Sequence, residues 1–115
     1  MKVPIVVFFF NRHCIFDVLK QISKYQRYLI YLVSDGGRNL KEHLICVEIR
    51  EKVEKLIDWD CSVYKIYKEN NVGVDTLMPQ VISKIFLTED KLIILEDDCI
   101  PHKSFFNFFQ ILLNK

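Results

Sequence analysis

The stretch VPIVVFFF, residues 3–10, is apolar at every position and rich in Val, Ile and Phe. A strand with one wet face alternates apolar and polar residues. A run without alternation reads instead as a strand buried on both faces of a parallel sheet. The run also has the length of a signal-peptide core, but Pro4 interrupts it, no small-residue cleavage site is present and NRHC follows directly, so strand is the reading. It falls far short of the roughly 20 apolar residues that cross a bilayer.

Outward from this strand the pattern alternates. Ile15, Val18, Leu19 and Ile22 recur at helical spacing with Lys20 and Lys24 between them, which predicts an amphipathic helix covering the sheet. Tyr28 to Val33 return as a second strand. After the turn residues SDGGR, 34–38, a charged segment from Leu40 to Ile57 keeps Cys46, Ile49, Val53 and Leu56 on one helical face. Its KEH and REKVEK stretches read as a solvated face with oppositely charged neighbours. Ser62 to Lys68 make a third strand whose Lys65 and Lys68 suit a sheet edge. A third helix carries Leu77, Met78, Val81, Ile82 and Ile85; with Thr76 as N-cap, Pro79 falls at N3, where its missing N–H is not needed. Lys91 to Leu95 form a fourth strand, expected to be internal, and Ser104 can cap a last helix bearing Phe105, Phe106, Phe108, Phe109 and Leu112.

The resulting β-α-β-α-β-α-β-α order predicts an α/β fold, a Rossmann-like parallel sheet of about four strands flanked by helices. A length of 115 residues, 50% hydrophobic and 27% charged, fits one domain spanning residues 1–115. The formal net charge of +1 excludes long-range steering toward nucleic acid or an anionic membrane. Cys14, Cys46, Cys61 and Cys99 form no CxxC pair, which points to a reduced, cytoplasmic protein without a transmembrane segment.

In such sheets ligands bind at the carboxyl ends of the strands near a topological switch point. Three polar clusters fall at those ends: NR after strand one, SDGGR after strand two and EDD after strand four. Side chains alternate along extended chain, so Glu96 and Asp98 should face one way and Asp97 the other. A hard divalent ion takes one or two such carboxylates and fills its shell from a substrate diphosphate, leaving the remaining acids to a ribose. The plainer reading is a set of solvated acids at the start of the last helix. Asp35 can orient a nucleobase while Gly36 and Gly37 admit a close ligand, or all three can simply form a turn. Arg12 can pair with a diphosphate through its planar fork, or be a surface arginine. Asn71 and Gly73 of ENNVG can shape a nucleotide pocket, although a plain connecting loop accounts for them. Cys99 and His102 lack a second pair at zinc spacing, and His13 and His43 have no evident partners. FFNFF reads as core or interface.

The combination FFFNR, YLVSDGGR, ENNVG and IILEDDCIPHKSFFNFF, in this order, resembles the N-terminal half of GT-A-type nucleotide-diphospho-sugar transferases. The similarity is to short bacterial glycosyltransferase-like proteins and, more distantly, to the Golgi N-acetylglucosaminyltransferase that starts complex N-glycans. Its most specific piece is LEDDCIPHKSFF, where the family's DxD-type motif also takes the form EDD followed by a proline-containing link and an FF helix.

The resemblance implies a UDP-sugar donor bound through Mn²⁺ or Mg²⁺, with Asp98 on the metal and Glu96 and Asp97 on the ribose and neighbouring groups. It implies Asp35 facing the base, and Arg12 near the base or the diphosphate. It also implies a second half carrying the acceptor site and, in inverting members, a carboxylate base. No residue of this chain is a candidate for that base. The expectation is therefore either a fragment or truncated reading frame, or a donor-binding half that works with an oligomeric or partner chain, toward an acceptor the sequence does not specify. A non-catalytic interaction module with a degenerate nucleotide pocket is the alternative. A receiver-like or phosphoryl-transfer domain fits less well, because only Asp35 joins EDD in acid content at the strand ends.

Overall fold

The computed structural model describes residues 3–24 and 29–97. Along them run β1 (Ile5–Phe9), α1 (Ile15–Ser23), β2 (Leu29–Ser34), α2 (Leu40–Leu56), β3 (Ser62–Tyr67), α3 (Val74–Ile85) and β4 (Ile93–Glu96). The last helix expected from the sequence, together with Asp98, Cys99, His102 and FFNFF, lies outside the described residues. The strands form one sheet in the order β3-β2-β1-β4, every pairing parallel. The fold is thus α/β and Rossmann-like, as the alternation predicts.

The unbroken apolar character of residues 3–10 has its cause in the position of β1. It is paired on both edges and covered on both faces, and all five of its residues are buried. Val3, Ile5, Val7 and Phe9 join Ile30 and Leu32 of β2 beneath α1 and α2. Val6 and Phe8, with Val33, meet Leu77, Val81 and Ile85 of α3 on the opposite face. Burying each such aliphatic side chain contributes roughly 1.5–3 kcal/mol before conformational entropy is counted. The α1 stripe is buried as predicted, at Ile15, Val18, Leu19 and Ile22.

Three expectations are corrected. Among the described residues β4 pairs with β1 alone and is an edge strand, not an internal one. Its Ile94 and Glu96, on the face that α3 only partly reaches, stay exposed. The α2 charge run is solvated at Glu51, Lys52 and Lys55, with Lys52 paired to Glu48 at 2.9 Å, but Arg50 is buried at 7% exposure. Finally, α3 is capped by Gly73, three residues before Thr76, and Pro79 lies inside the helix. The ring costs α3 the bond that residue 79 would donate to the carbonyl of Asp75. Both residues are exposed, so water can take that carbonyl's place in the ladder.

The strand order reverses at β1. The chain moves from β1 outward to β2 and β3, then returns through α3 to pair β4 on the other edge of β1. The crevice beyond the carboxyl ends of β1 and β4 is therefore the place where a ligand meets loops diverging to opposite faces.

Candidate functional site

A cleft of about 510 Å³ opens at that crevice. Phe8, Val33 and Leu77 supply apolar lining, and polar residues reach it from three strand ends and one loop. Arg12, after β1, and Asp35, after β2, both line it. Asn71, in the β3–α3 loop, lines it as well, as do Glu96 and Asp97 at the end of β4. Lining residues separated by up to 89 positions in sequence, from Phe8 to Asp97, are thus gathered by the parallel topology.

Asp35 has a role within the fold that its sequence context did not reveal. Its Oδ1 accepts from the backbone N–H of Gly36 at 2.8 Å and of Val72 at 2.9 Å. Its Oδ2 accepts from the N–H of Gly73 at 2.8 Å and from Asn71 Nδ2 at 3.2 Å. A carboxylate offers about four lone-pair sites, and here all are taken. The side chain therefore bolts the end of β2 to the loop that starts α3. It also places a negative charge near the positive end of the α3 dipole, accepting from Val72 and from the N-cap residue Gly73 just ahead of the helix. Reading a nucleobase would require Asp35 to exchange one of these donors.

The glycines beside Asp35 are small because the chain itself approaches them. A Cβ on Gly36 would sit 2.5 Å from the carbonyl carbon of Asn70, and one on Gly37 would sit 2.5 Å from the Cα of His43. The Gly37 N–H donates to His43 Nδ1 at 3.1 Å, which requires the neutral ring with its proton on Nε2. His43, expected to stand alone, thus has a backbone partner.

Arg50 supports the same loops from below. Its Nε donates to Ser34 Oγ at 2.9 Å, and its Nη2 reaches the carbonyls of Ser34, Asp35 and Lys68 at 3.3, 3.0 and 2.8 Å. The guanidinium also lies 4.8 Å from the Tyr67 ring centre, a cation–π distance. Burial lowers its pKa from the ordinary value, while Cys46, Tyr67 and Asp35 act in the opposite direction. The Tyr67 hydroxyl is buried without a hydrogen-bond partner among the described residues. Burial, and then the charge of Glu54, push its pKa up; the Glu54 carboxylate itself is turned to Lys65 at 2.7 Å.

A second clasp closes the rim between β1 and α2. Glu42 Oε1 accepts from the Arg38 backbone N–H and from Arg38 Nε, both at 2.9 Å, and Oε2 accepts from Arg38 Nη2 at 2.7 Å and Asn11 Nδ2 at 3.1 Å. These bonds, the Arg38 side chain's first, hold the Glu42 carboxyl at a pKa of about 2. Asn39 caps α2 through the Glu42 N–H at 2.9 Å. The sequence shows Asn11 and Arg38 only as members of the NR and SDGGR clusters, without partners, and Glu42 and Arg50 escaped the sequence reading as contributors to the site. The capping spacing N-x-x-E of Asn39 and Glu42 was the one local signal available.

Two charged side chains of the cleft lining remain uncommitted among the described residues. Arg12 makes no hydrogen bond or ion pair among the described residues, and neither does the exposed Glu96. Glu96 and Asp97 offer the oxygen donors that Mg²⁺ or Mn²⁺ prefers. The proposed ligand Asp98 lies outside the described residues, and among these no group of three or more His, Cys, Asp or Glu is placed to hold a metal. No described helix is long and apolar enough to cross a membrane.

Comparison with known protein families, with curated proteins and with solved structures gave no match. The reading of the site therefore rests on its own geometry and chemistry.

Proposed function

We propose that the chain binds a nucleoside-diphosphate sugar, UDP-linked, in the cleft at the β1/β4 switch point, as the donor-binding part of a glycosyltransferase that moves the sugar to an acceptor hydroxyl. The observation that carries this reading is the meeting of opposite charges in one cleft that also has apolar lining. Arg12, uncommitted among the described residues, stands after β1, and two carboxylates, Glu96 and Asp97, stand at the end of β4. A diphosphate ester has the matching polarity, with anionic oxygens for the guanidinium and ribose hydroxyls that donate to carboxylates.

In this scheme Arg12 pairs with a phosphate oxygen, and Glu96 and Asp97 accept from the ribose and its neighbours. Asp35 and Asn71 form the base side, the first chiefly by fixing the wall from Asn71 to Gly73. Mn²⁺ or Mg²⁺, held with the help of Asp98, would neutralise charge on the departing nucleoside diphosphate. Isothermal titration of UDP in the presence of Mn²⁺ tests the reading. Binding by the wild-type chain and its loss in Asp98→Ala are expected; equal binding by both would refute the metal assignment, and no binding by the wild type would refute the donor site.

A further inference from the structure

Arg38 lines the cleft, is 68% exposed along its side chain, and is held at a fixed angle. Glu42 grips the Nε and Nη2 edge of its guanidinium at 2.9 and 2.7 Å, and the Phe10 ring lies 5.9 Å from Cζ. An arginine carries five N–H donors, and this grip uses two. Three donors are left without partners among the described residues. A free arginine side chain loses rotamer entropy when a ligand immobilises it. Here much of that loss is incurred in folding, because Glu42 is itself fixed by Asn11 and by the Arg38 backbone N–H. Glu42 would keep those two donors even if the guanidinium swung toward a ligand. A surface ion pair serving only to start α2 would need no contact with the cleft, yet Arg38 stands in its lining, as Arg12 does.

We propose that Arg38 is an oxyanion-binding residue of the cleft, preset by Glu42 and Phe10, which together with Arg12 receives the two phosphoryl groups of a diphosphate. The assignment depends on the function proposed above for the identity of the ligand, but the anion site itself does not.

The test titrates three probes into the full chain: inorganic pyrophosphate without metal, UDP with Mn²⁺, and uridine. Arg38→Gln should weaken pyrophosphate and UDP by about tenfold or more, the loss of one charge-assisted pair, and leave uridine unchanged. Arg38→Lys keeps the charge and a partner for Glu42 but lacks the fork, so its loss should be smaller. It also serves if the glutamine variant folds poorly. Pyrophosphate and UDP binding unaffected by both variants would overturn the assignment of Arg38 while leaving the donor site standing. A wild type that binds pyrophosphate through Arg38 but not UDP would retain the anion site and refute the nucleotide reading. Failure to bind either would refute both.

Discussion

Replacing Asp35 by Asn changes one atom and tests whether the carboxylate is a structural bolt. An amide has one acceptor oxygen where the carboxylate has two. In the less costly orientation it keeps the Gly36 and Val72 N–H groups on its oxygen and turns its NH₂ toward Gly73 and Asn71. Asn71 is exposed and can rotate to water, but the Gly73 N–H is part-buried and left facing another donor. One unsatisfied donor costs about 1–3 kcal/mol, and the two retained bonds each lose about 1 kcal/mol on becoming neutral. A net loss of about 3–5 kcal/mol is expected, a large fraction of the roughly 5–15 kcal/mol typical of a domain. Urea unfolding followed by circular dichroism measures it. Amide exchange should accelerate at Val72 and Gly73 well before it does in β1. A loss under about 1 kcal/mol, or unchanged exchange at those two amides, would refute the bolt.

Two further outcomes follow from the same loops. The Glu42 carboxyl, held at about 2 against an ordinary 4.5, stabilises the fold fully above the unfolded value, and this contribution fades as pH falls from there through 2. The gap between the urea midpoints of wild type and Glu42→Gln should therefore close on acidification from pH 5 to pH 2; a constant gap would argue against the clasp. Gly37→Ala places a Cβ against the first turn of α2, whereas Gly73→Ala meets nothing within 4 Å and bears only the strain of its φ of 90°. Both should lower the melting temperature, Gly37→Ala by more; the reverse order would show that backbone conformation outweighs contact there.

The sequence made the elements legible wherever periodicity alone decided them. The α1 stripe was read in full, and α2 was placed to within one residue, because burial against a flat sheet imposes its own spacing. The place of β3 at the edge was equally visible in its lysines. Misreadings cluster where a partner is distant. Thr76 looked like the cap of α3 because Gly73, the actual N-cap, has no side chain to cap with and is held by Asp35, 38 residues before it. Arg50 looked solvated because nothing near it in sequence announces the carbonyls of Ser34, Asp35 and Lys68. Within the site, the expected positions Arg12, Asp35, Asn71, Glu96 and Asp97 were found lining one cleft. The double glycine was visible as a close approach, but the approaching group is the chain's own backbone.

The uniform apolar run of β1 carries a consequence for how the cleft is addressed. A strand buried on both faces accepts an apolar residue at any position, so sliding it by one residue would exchange its two cores at little hydrophobic cost. Hydrophobicity alone leaves its phase nearly undetermined. Discrimination falls to the ends of the run: Pro4, whose carbonyl receives the Ile93 N–H at 2.9 Å, and Asn11, which reaches Glu42 at 3.1 Å. A slip of one step would break both and carry Arg12 some 3.3 Å along the strand axis. The polar punctuation around β1 thus acts as a vernier, setting to within one residue where the cleft receives the positive charge of Arg12.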